Sequence, residues 1–262
     1  MKNYQKKILL GKKILITGVL NKFSIAYGIA KKIHEYGAEL AFSYYSEKNK
    51  KKVIELAKFL NSDIVFFCNV KKDNSIKNFF LNLKKIWKKF DGIVHSIAYV
   101  SKKQLDGDFL DVLTRKEFIL SHEISSYSFS ALAKESKNML NDSSSLVTIS
   151  YIGSTKVIPN YNVMGLAKAS LESNVRYIAS SLGKKNIRVN AVSSGPIKTV
   201  SSYGIKGFKK IMNNSIKNSF IKKPISILNI GNSVVFLCSE LSIGITGQVI
   251  YVDGGFNVSV MS

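Results

Sequence analysis

The sequence predicts an α/β protein built on one doubly wound parallel sheet of about seven strands, with helices on both faces. Short, β-branched apolar segments alternate with segments of helical periodicity along nearly the whole chain, as in repeated βαβ units. Most of the apolar segments are continuous, which is typical of strands covered on both faces. The chain has 262 residues, of which 45% are hydrophobic, and this is enough for one substantial core.

The first βα unit indicates a place for phosphate. Lys13–Thr17 (KILIT) is the predicted first strand, Gly18 forms a turn, and a helix with apolar residues at every fourth position begins at Ser24 and Ile25. Free N–H groups at a helix N-terminus, together with the helix dipole, favour an anion. Only Gly18 and Gly28 are present, so this is not a G-x-G-x-x-G motif, and alone it is a weak indication.

The other elements follow in order. We predict six further strands, at Glu39–Tyr44, Asp63–Asn69, Ile93–Ile97, Ser145–Ser150, Ile187–Val192 and Gln248–Asp253. Helices are predicted at about 48–60, 75–90, 117–140, 166–182 and 228–238, and glycines 37 and 183 each end a helix. The absence of a repeat or linker predicts that residues 1–262 form a single Rossmann-type domain. The polar, glycine-containing stretch around 198–218 is expected to be a small substrate lid.

In such sheets a nucleotide binds at the carboxyl ends of the strands. The residues at those ends are Gly18, Tyr45, Asn69, Val70, Ile97 and Tyr151. An acid after the second strand commonly holds the ribose 2′-hydroxyl of NAD, whereas a basic residue accommodates a 2′-phosphate. Glu47 is close and no arginine stands at this turn, which favours NADH, although Lys48 and residues 50–52 are lysines as well.

The stretch from Tyr151 to Lys168 joins the fifth strand to a helix and carries the candidate chemistry. Tyr161 and Lys168 are seven residues apart, so they lie on one face if Tyr161 is already helical. A phenol beside an ammonium is a plausible proton donor, because the cation stabilises the phenolate. The alternative is a half-buried tyrosine and a solvated lysine, and in a chain with 12 tyrosines the pair alone favours that alternative.

Composition limits other classes of protein. The chain has no run of 18 or more apolar residues, so no membrane span is predicted. The lysine-rich N-terminus is unlike a signal peptide, because Lys12 and Lys13 break its apolar run. Cys68 and Cys238 are too few and too far apart for a disulfide framework, and the three histidines lack ligand spacing. We therefore expect a reduced, cytoplasmic protein with no metal.

The formal net charge of +22 admits two readings. It can indicate a nucleic acid or an acidic protein partner, or lysine-rich solvated faces with no partner. The lysines are spread along the chain and form no Arg/Lys stripe with interleaved aromatics. This disfavours a basic nucleic-acid-binding protein and leaves an acidic partner compatible with the charge.

Several motifs resemble the short-chain dehydrogenase/reductase superfamily and, within it, the bacterial NADH-dependent enoyl-acyl carrier protein reductases. The resemblance runs from Gly11 to Met261 and is most specific in SIAYGIA (24–30), FDGIVHSIA (90–98) and PNYNVMGLAKASLE (159–172). The commoner members place the active tyrosine four residues before the lysine, where Met164 stands, and a serine where Tyr151 stands. The Tyr-x6-Lys spacing is the enoyl reductase arrangement, and it disfavours a ketoacyl reductase.

The resemblance implies NADH-dependent reduction of the trans-2 double bond of an acyl chain on acyl carrier protein, the last step of each fatty-acid elongation cycle. It makes Tyr161 a hydrogen-bond donor to the thioester oxygen, and Lys168 a ligand of the nicotinamide ribose. Tyr151 takes an auxiliary role towards substrate, which Val100 also contacts. The candidate cofactor contacts are Gly18, Ser24, Ile25, Tyr45, Asn69, Val70, Ile97, Lys168, Ile197, Lys198, Thr199, Val200 and Ser201.

The resemblance also implies a homotetramer with paired two-fold interfaces, formed by the 117–140 helix and residues 249–258. We further expect lysines 198, 206, 209 and 210, near the lid, to attract the acidic carrier protein. The family often has glutamine at Tyr45, aspartate at Asn69 and glycine at Ala98. Tyr45 is a candidate to stack on adenine. Asn69 accepts a hydrogen bond from adenine without charge assistance, so weaker cofactor binding is expected.

Overall fold

Seven parallel strands form one sheet in the order β3-β2-β1-β4-β5-β6-β7. The structure, a computed structural model, describes residues 7–259; the first six residues and Met261, at the end of the resemblance, lie outside this range. The strands are β1 Lys13–Thr17, β2 Glu39–Tyr44, β3 Val65–Phe67, β4 Phe90–His95, β5 Leu140–Tyr151, β6 Arg188–Ser194 and β7 Val249–Val252. The predicted doubly wound sheet of seven strands is confirmed.

Helices cover both faces of this sheet. They are α1 Ile25–Glu35, α2 Glu47–Lys58, α3 Asp73–Ile86, α4 Phe109–Val112, α5 Arg115–His122, α6 Ser128–Ser136, α7 Val163–Leu182, α8 Phe208–Asn218 and α9 Ile227–Cys238. One apolar cluster joins α1, α2 and α9 to the sheet, and a second joins α3, α6 and α7 to its other face. Along β1, Ile14 and Ile16 enter the first cluster and Leu15 the second. Strand residues alternate in direction, so a strand buried on both faces is apolar throughout.

The strand order reverses between β1 and β4, and ligands of open α/β sheets bind at such a point. Gly18 follows β1 with φ at +92°, and a Cβ there would lie 2.1 Å from the carbonyl oxygen of Ser96. Only glycine therefore allows the chain after β1 to approach the chain after β4 this closely. The chains that leave β1 and β4 therefore lie side by side at the point where a ligand of such a sheet would bind.

The predicted bounds of β1 and β2 are confirmed, whereas the predicted third strand was too long. Val65–Phe67 is an edge strand that pairs with residues 42–44 of β2, and the chain then turns away at Asn69. The predicted helix 75–90 ends at Ile86, because Trp87 has extended backbone (φ −111°, ψ 102°). Trp87 is buried in the core, and Phe90 already belongs to β4.

The long helix predicted at 117–140 is divided. α5 begins after Thr114, whose side chain caps it by accepting from Glu117 N. A π-helical turn at Glu123–Tyr127 follows, and α6 then ends at Ser136. Leu140 already pairs with Phe90 in β5, and the register shifts before the next pair, Gly92 with Ser145. A pattern of apolar residues does not reveal where such a helix stops and a strand with an irregular start takes over.

Two short elements were not predicted. α4 lies between β4 and α5, and α8 lies inside the stretch expected to form the lid. Gly183 follows the last residue of α7 without taking a left-handed conformation. Asn186, three residues later, has φ at +56° and ends the short 3-10 turn that follows α7. No helix within residues 7–259 is long and apolar enough to cross a membrane.

Candidate active site

Tyr161 lies in the loop that precedes α7. The helix begins at Val163, so the condition under which Tyr161 and Lys168 would share a helix face is not met. The Tyr161 ring instead rests on Gly153, where a Cβ would lie 2.5 Å from its Cδ1 atom. Tyr151, at the end of β5, packs against it, with ring centroids 5.0 Å apart and an angle of 70° between the rings. A loop and a strand end therefore bring the two phenols together.

Lys168 is buried against β5, the strand that ends at Tyr151. It is 5% exposed, and its Nζ donates a hydrogen bond of 2.7 Å to the carbonyl oxygen of Ile149 in β5. The solvated-lysine alternative is therefore wrong. Burial lowers the pKa of Lys168 to about 8, while the nearby Glu172 carboxylate acts in the opposite direction.

Both phenols are suited to donate hydrogen bonds. Within residues 7–259, neither the Tyr151 nor the Tyr161 hydroxyl has a hydrogen-bond partner in the protein, which leaves both available to a ligand. Burial raises the pKa of Tyr151 to about 12. The pKa of Tyr161 is raised further, first by burial and then by Tyr151 and Glu172. Both groups are therefore protonated at neutral pH.

A third apolar cluster, separate from the two core clusters, surrounds Tyr161. It consists of Leu105, Tyr161 and Met164, with Val100, Tyr151, Ile158 and Ile205 packed around them. Met164 occupies the position where the commoner dehydrogenases have tyrosine, and here it is buried packing. The cluster offers an apolar wall beside two phenolic donors, which suits a substrate with a hydrocarbon part and a carbonyl group.

The β1–α1 turn has the features of a phosphate site. The N–H groups of Ile25 and Ala26, in the first turn of α1, have no intrahelical partner. Ser24 Oγ accepts hydrogen bonds from Leu20 N and Asn21 N at 3.1 and 3.0 Å, so this side chain shapes the loop. Gly18, with φ at +92°, allows the tight turn after β1, and the free N–H groups that follow fit the pyrophosphate of a dinucleotide.

The candidate adenine end lies after β2 and β3. Tyr45 is 55% exposed, while Val70 is buried. Asn69 Oδ1 already accepts a hydrogen bond from Lys71 N at 3.1 Å, which leaves one lone pair for a ligand. Glu47 forms an ion pair with Lys50, with 3.2 Å between Nζ and Oε2.

The remaining candidate contacts follow β4 and β6. Ile97 is half-buried, Ile197 is buried, and residues 198, 200 and 201 are exposed. Thr199 is held by Ser202: Ser202 N donates to Thr199 Oγ1, and Thr199 N donates to Ser202 Oγ. The chain leaving β6 is therefore locally ordered just before α8.

Three segments are tied together at the mouth of the apolar cluster. Lys206 N donates to the carbonyl oxygen of Leu105, and Asn160 Nδ2 donates to the carbonyl oxygen of Lys206 at 3.0 Å. Lys206 Nζ lies 2.8 Å from Asp106 Oδ1. These contacts place Ile205 over the cluster.

A model of the family described as enoyl-(acyl carrier protein) reductase matches residues 18–257. The chain belongs to this reductase family. It is 57% identical over 251 residues to the NADH-dependent reductase of Buchnera aphidicola subsp. Baizongia pistaciae, covering 96% of each chain. It is 53% identical to the Escherichia coli K12 enzyme over 97% of each. The Aquifex aeolicus VF5 reductase structure has a TM-score of 0.93 at 46% identity, covering 96% of this chain and 98% of that one.

The predicted family, the predicted enoyl reductase activity and the predicted nicotinamide cofactor are therefore confirmed. The individual roles of the candidate residues stay predictions. The competing reading as a ketoacyl reductase does not agree with the family to which the chain belongs.

The sequence reasoning missed the polar groups around Lys168 of this reductase. Glu172 is buried and accepts a hydrogen bond from the Ser150 hydroxyl. His95 is fully buried, with Nδ1 and Nε2 each 2.8 Å from a hydroxyl, those of Thr148 and Ser128. The signal that could have found Glu172 is its spacing, four residues after Lys168 on one helix face.

Proposed function

We propose that Tyr161 donates a hydrogen bond to the thioester oxygen of a trans-2-enoyl group delivered by acyl carrier protein. When bound, NADH supplies the hydride that adds to the β-carbon. Negative charge then develops on the thioester oxygen, and a donor placed there in advance stabilises the transition state. A proton from solvent then adds to the α-carbon of the enolate, which gives the saturated thioester. The observation that carries this proposal is the pair of unpartnered, protonated phenols at the end of β5, the strand to which the buried Lys168 cation is hydrogen-bonded.

Lys168 holds the nicotinamide ribose and contributes positive charge near the oxyanion. Its ammonium has one hydrogen bond to protein, to Ile149 O, and an ammonium has three N–H donors. Two donors therefore remain for ribose hydroxyls. Tyr151 contacts the substrate from the other side of the Tyr161 ring and has an auxiliary role.

The test is an assay of the purified protein with NADH and a crotonyl thioester, followed by the loss of NADH absorbance. Oxidation of NADH that depends on the thioester, with the saturated acyl thioester as product, supports the proposal. Lys168→Met should weaken NADH binding in a fluorescence titration. NADH affinity equal to that of the wild type would remove the lysine from the cofactor site.

NADH is the preferred cofactor. Glu47 stands at the start of α2, where a carboxylate accepts from the ribose 2′-hydroxyl and repels a 2′-phosphate. Its ion pair with Lys50 softens this repulsion, so a reduced but measurable rate with NADPH is expected. A ratio of kcat/KM for the two cofactors near one would contradict the preference.

Residues 198–218 act as the lid over cofactor and acyl chain. The support is the position of Ile205 in the apolar cluster and the three ties of Lys206 to the neighbouring segments. Residues 1–262 form one catalytic domain around this site. Limited proteolysis tests the lid: cleavage within 198–218 should slow when NADH is bound.

A homotetramer is the proposed assembly. A groove of about 490 Å³ lies between the α5–α6 region and α7, lined among others by Phe118, Ile119, Tyr127 and Asn174. Phe118, Ile119 and Tyr127 are exposed in the single chain, and β7 is an outer strand of the sheet. Light scattering should give four chains per particle. Ile119→Glu should dissociate it, while Leu81→Glu, at another exposed apolar position, should not.

We place the enzyme in the cytoplasm, with no role in nucleic-acid binding. Cys68 and Cys238 are both buried and free, as suits a reducing compartment. Cell fractionation tests the location. A titration with single-stranded nucleic acid at low salt should show no saturable binding.

A further inference from the structure

The buried cluster around Lys168 contains one carboxylate whose contacts differ from those of a surface glutamate. Glu172 is 6% exposed and lies one helical turn after Lys168 on α7. Its Oε1 accepts from the Ser150 hydroxyl, while Lys168 donates to the carbonyl oxygen of Ile149. The cation and the anion are thus attached to consecutive residues of β5, immediately before Tyr151.

Such a buried carboxylate is costly to desolvate unless it is paired or hydrogen-bonded. Its hydroxyl partner satisfies only part of its capacity, since a carboxylate accepts about four hydrogen bonds. A neutral side chain would fill the same space at a lower desolvation cost. The arrangement therefore favours an electrostatic role towards the neighbouring cation.

The titratable groups of this cluster are His95 on β4, Tyr151 on β5, Tyr161 in the loop and Glu172 on α7. Burial holds the pKa of His95 near 3, so this ring is neutral, as are the phenols. The elements packed against α7 also carry other ionisable side chains: Arg115, Lys116, Glu117, His122, Glu123, Lys134, Glu135, Asp142, Lys184, Lys185 and Arg188. Burial lowers the pKa of Lys168 and the Glu172 carboxylate raises it, while Lys168 in turn helps to lower the pKa of His95.

We infer that Glu172 is a positioning residue that keeps Lys168 in the ammonium form needed to bind NADH. The same negative charge also disfavours ionisation of Tyr161. One carboxylate thus holds the cofactor ligand and the hydrogen-bond donor in their protonated forms. This inference rests on the proposed role of Lys168 towards the nicotinamide ribose.

The sign of the effect follows from the charge. NADH binds the protonated lysine, so its affinity should fall as the pH rises through the pKa of Lys168, about 8. Removing the negative charge of Glu172 makes the ammonium easier to deprotonate. The loss of NADH affinity at high pH should then move to lower pH by about one unit or more, since one pKa unit means that Lys168 binds its proton tenfold more weakly.

The experiment measures the NADH dissociation constant by fluorescence between pH 6 and 9.5. Glu172→Gln keeps an acceptor for the Ser150 hydroxyl and removes the charge. Its alkaline limb, the part of the curve where NADH affinity falls at high pH, should move to lower pH by about one unit or more. Ser150→Ala, which keeps the charge and loses the hydrogen bond, should retain the limb of the wild type. Should Glu172→Gln fail to fold, Glu172→Met fills the same space without charge and is expected to give the same shift.

A curve for Glu172→Gln that superimposes on the wild type, or one weakened equally at every pH, would overturn the inference. Lys168→Met separates it from the proposed function, since this variant should bind NADH weakly and without an alkaline limb. Normal NADH binding by Lys168→Met would refute the role of the lysine itself. Weak binding there, together with an unshifted Glu172→Gln limb, would refute only the role of Glu172.

Discussion

At the scale of single residues, the Tyr161 hydroxyl should matter for turnover and not for cofactor binding. We predict that Tyr161→Phe lowers kcat by two to three orders of magnitude, since losing one oxyanion donor costs on the order of 3 kcal/mol in the transition state. The ring packing against Gly153 and Tyr151 is preserved, so the fold should be unaffected. Steady-state rates with carrier-bound substrate and NADH titration measure the two effects.

Two further tyrosines serve as controls for this prediction. Tyr151→Phe should give a smaller loss, because its role is auxiliary. Tyr177→Phe, at an exposed position on α7, should change nothing. Turnover of Tyr161→Phe equal to that of Tyr177→Phe would rule out the assignment.

His95 should make the free energy of unfolding fall as the pH is lowered. Burial holds its pKa near 3 in the folded chain, whereas an unfolded histidine has a pKa of about 6.5. The unfolded state therefore gains a proton first as the pH falls, and stability is lost progressively between those two values. At pH 5 the loss from this group is about 2 kcal/mol.

Urea unfolding at pH 7 and pH 5 measures that loss. His95→Asn retains an amide that can bond Thr148 or Ser128, and it has no proton to gain. It is expected to be less stable at pH 7 but to lose less on acidification. An equal loss in the variant and the wild type would contradict the assignment.

At the scale of elements, continuous apolar runs were the reliable signal. β1 and β2 were predicted to the residue because each run is bounded by lysine, glycine or polar residues and is buried on both faces. The π-helical turn and the division of the 117–140 helix lie where the Ser128 hydroxyl meets His95 Nε2 of β4 at 2.8 Å. Tertiary contacts of this kind leave no periodic mark in a sequence.

The site was predictable only in part for the same reason. The spacing of Tyr161 and Lys168 was visible in the motif, although the condition for a shared helix face is not met, because α7 begins after Tyr161. Asn160 and Asn162 have φ at +62° and +43°, and this irregular backbone keeps Tyr161 out of the helix. The contact of Glu172 with Ser150 joins residues on different elements, so only the fold reveals it.

Asn162 allows a prediction at the same scale. Its Nδ2 donates to the carbonyl oxygens of Gln104 and Gly107 at 3.0 and 3.2 Å, and so it ties the start of α7 to the loop that carries Leu105. Asn162→Gly loses these bonds, at about 1 kcal/mol each. Asn162→Ala loses them as well and strains the positive φ, which adds about 1–2 kcal/mol.

Denaturant unfolding of both variants should therefore place alanine below glycine in stability. The loosened loop should also raise KM for the acyl substrate in both, because Leu105 is part of the apolar cluster. If alanine and glycine were equally stable, the backbone at Asn162 would not be strained as the structure indicates.

At the scale of the whole molecule, the lysines behind the net charge of +22 differ in whether they are free to attract acyl carrier protein. Of the lysines expected to attract acyl carrier protein, Lys206 is already paired with Asp106 and holds the lid segment. Lys198, Lys209 and Lys210 are exposed and have no ion pair within residues 7–259. A test of electrostatic attraction should therefore use these three and leave Lys206 in place.

We predict that kcat/KM for carrier-bound substrate falls steeply with salt, and less so for a coenzyme A thioester, which carries fewer charges to attract. Screening sets the scale, because the Debye length falls from about 30 Å at 0.01 M to about 10 Å at 0.1 M salt. Replacing Lys198, Lys209 and Lys210 by alanine should flatten the salt dependence chiefly for the carrier-bound substrate. Lys184→Ala with Lys185→Ala, at the opposite end of the strands, between α7 and the start of β6, should leave it unchanged. Equal salt slopes for both substrates, or for both sets of variants, would assign these lysines to solvated surface with no part in attracting the carrier.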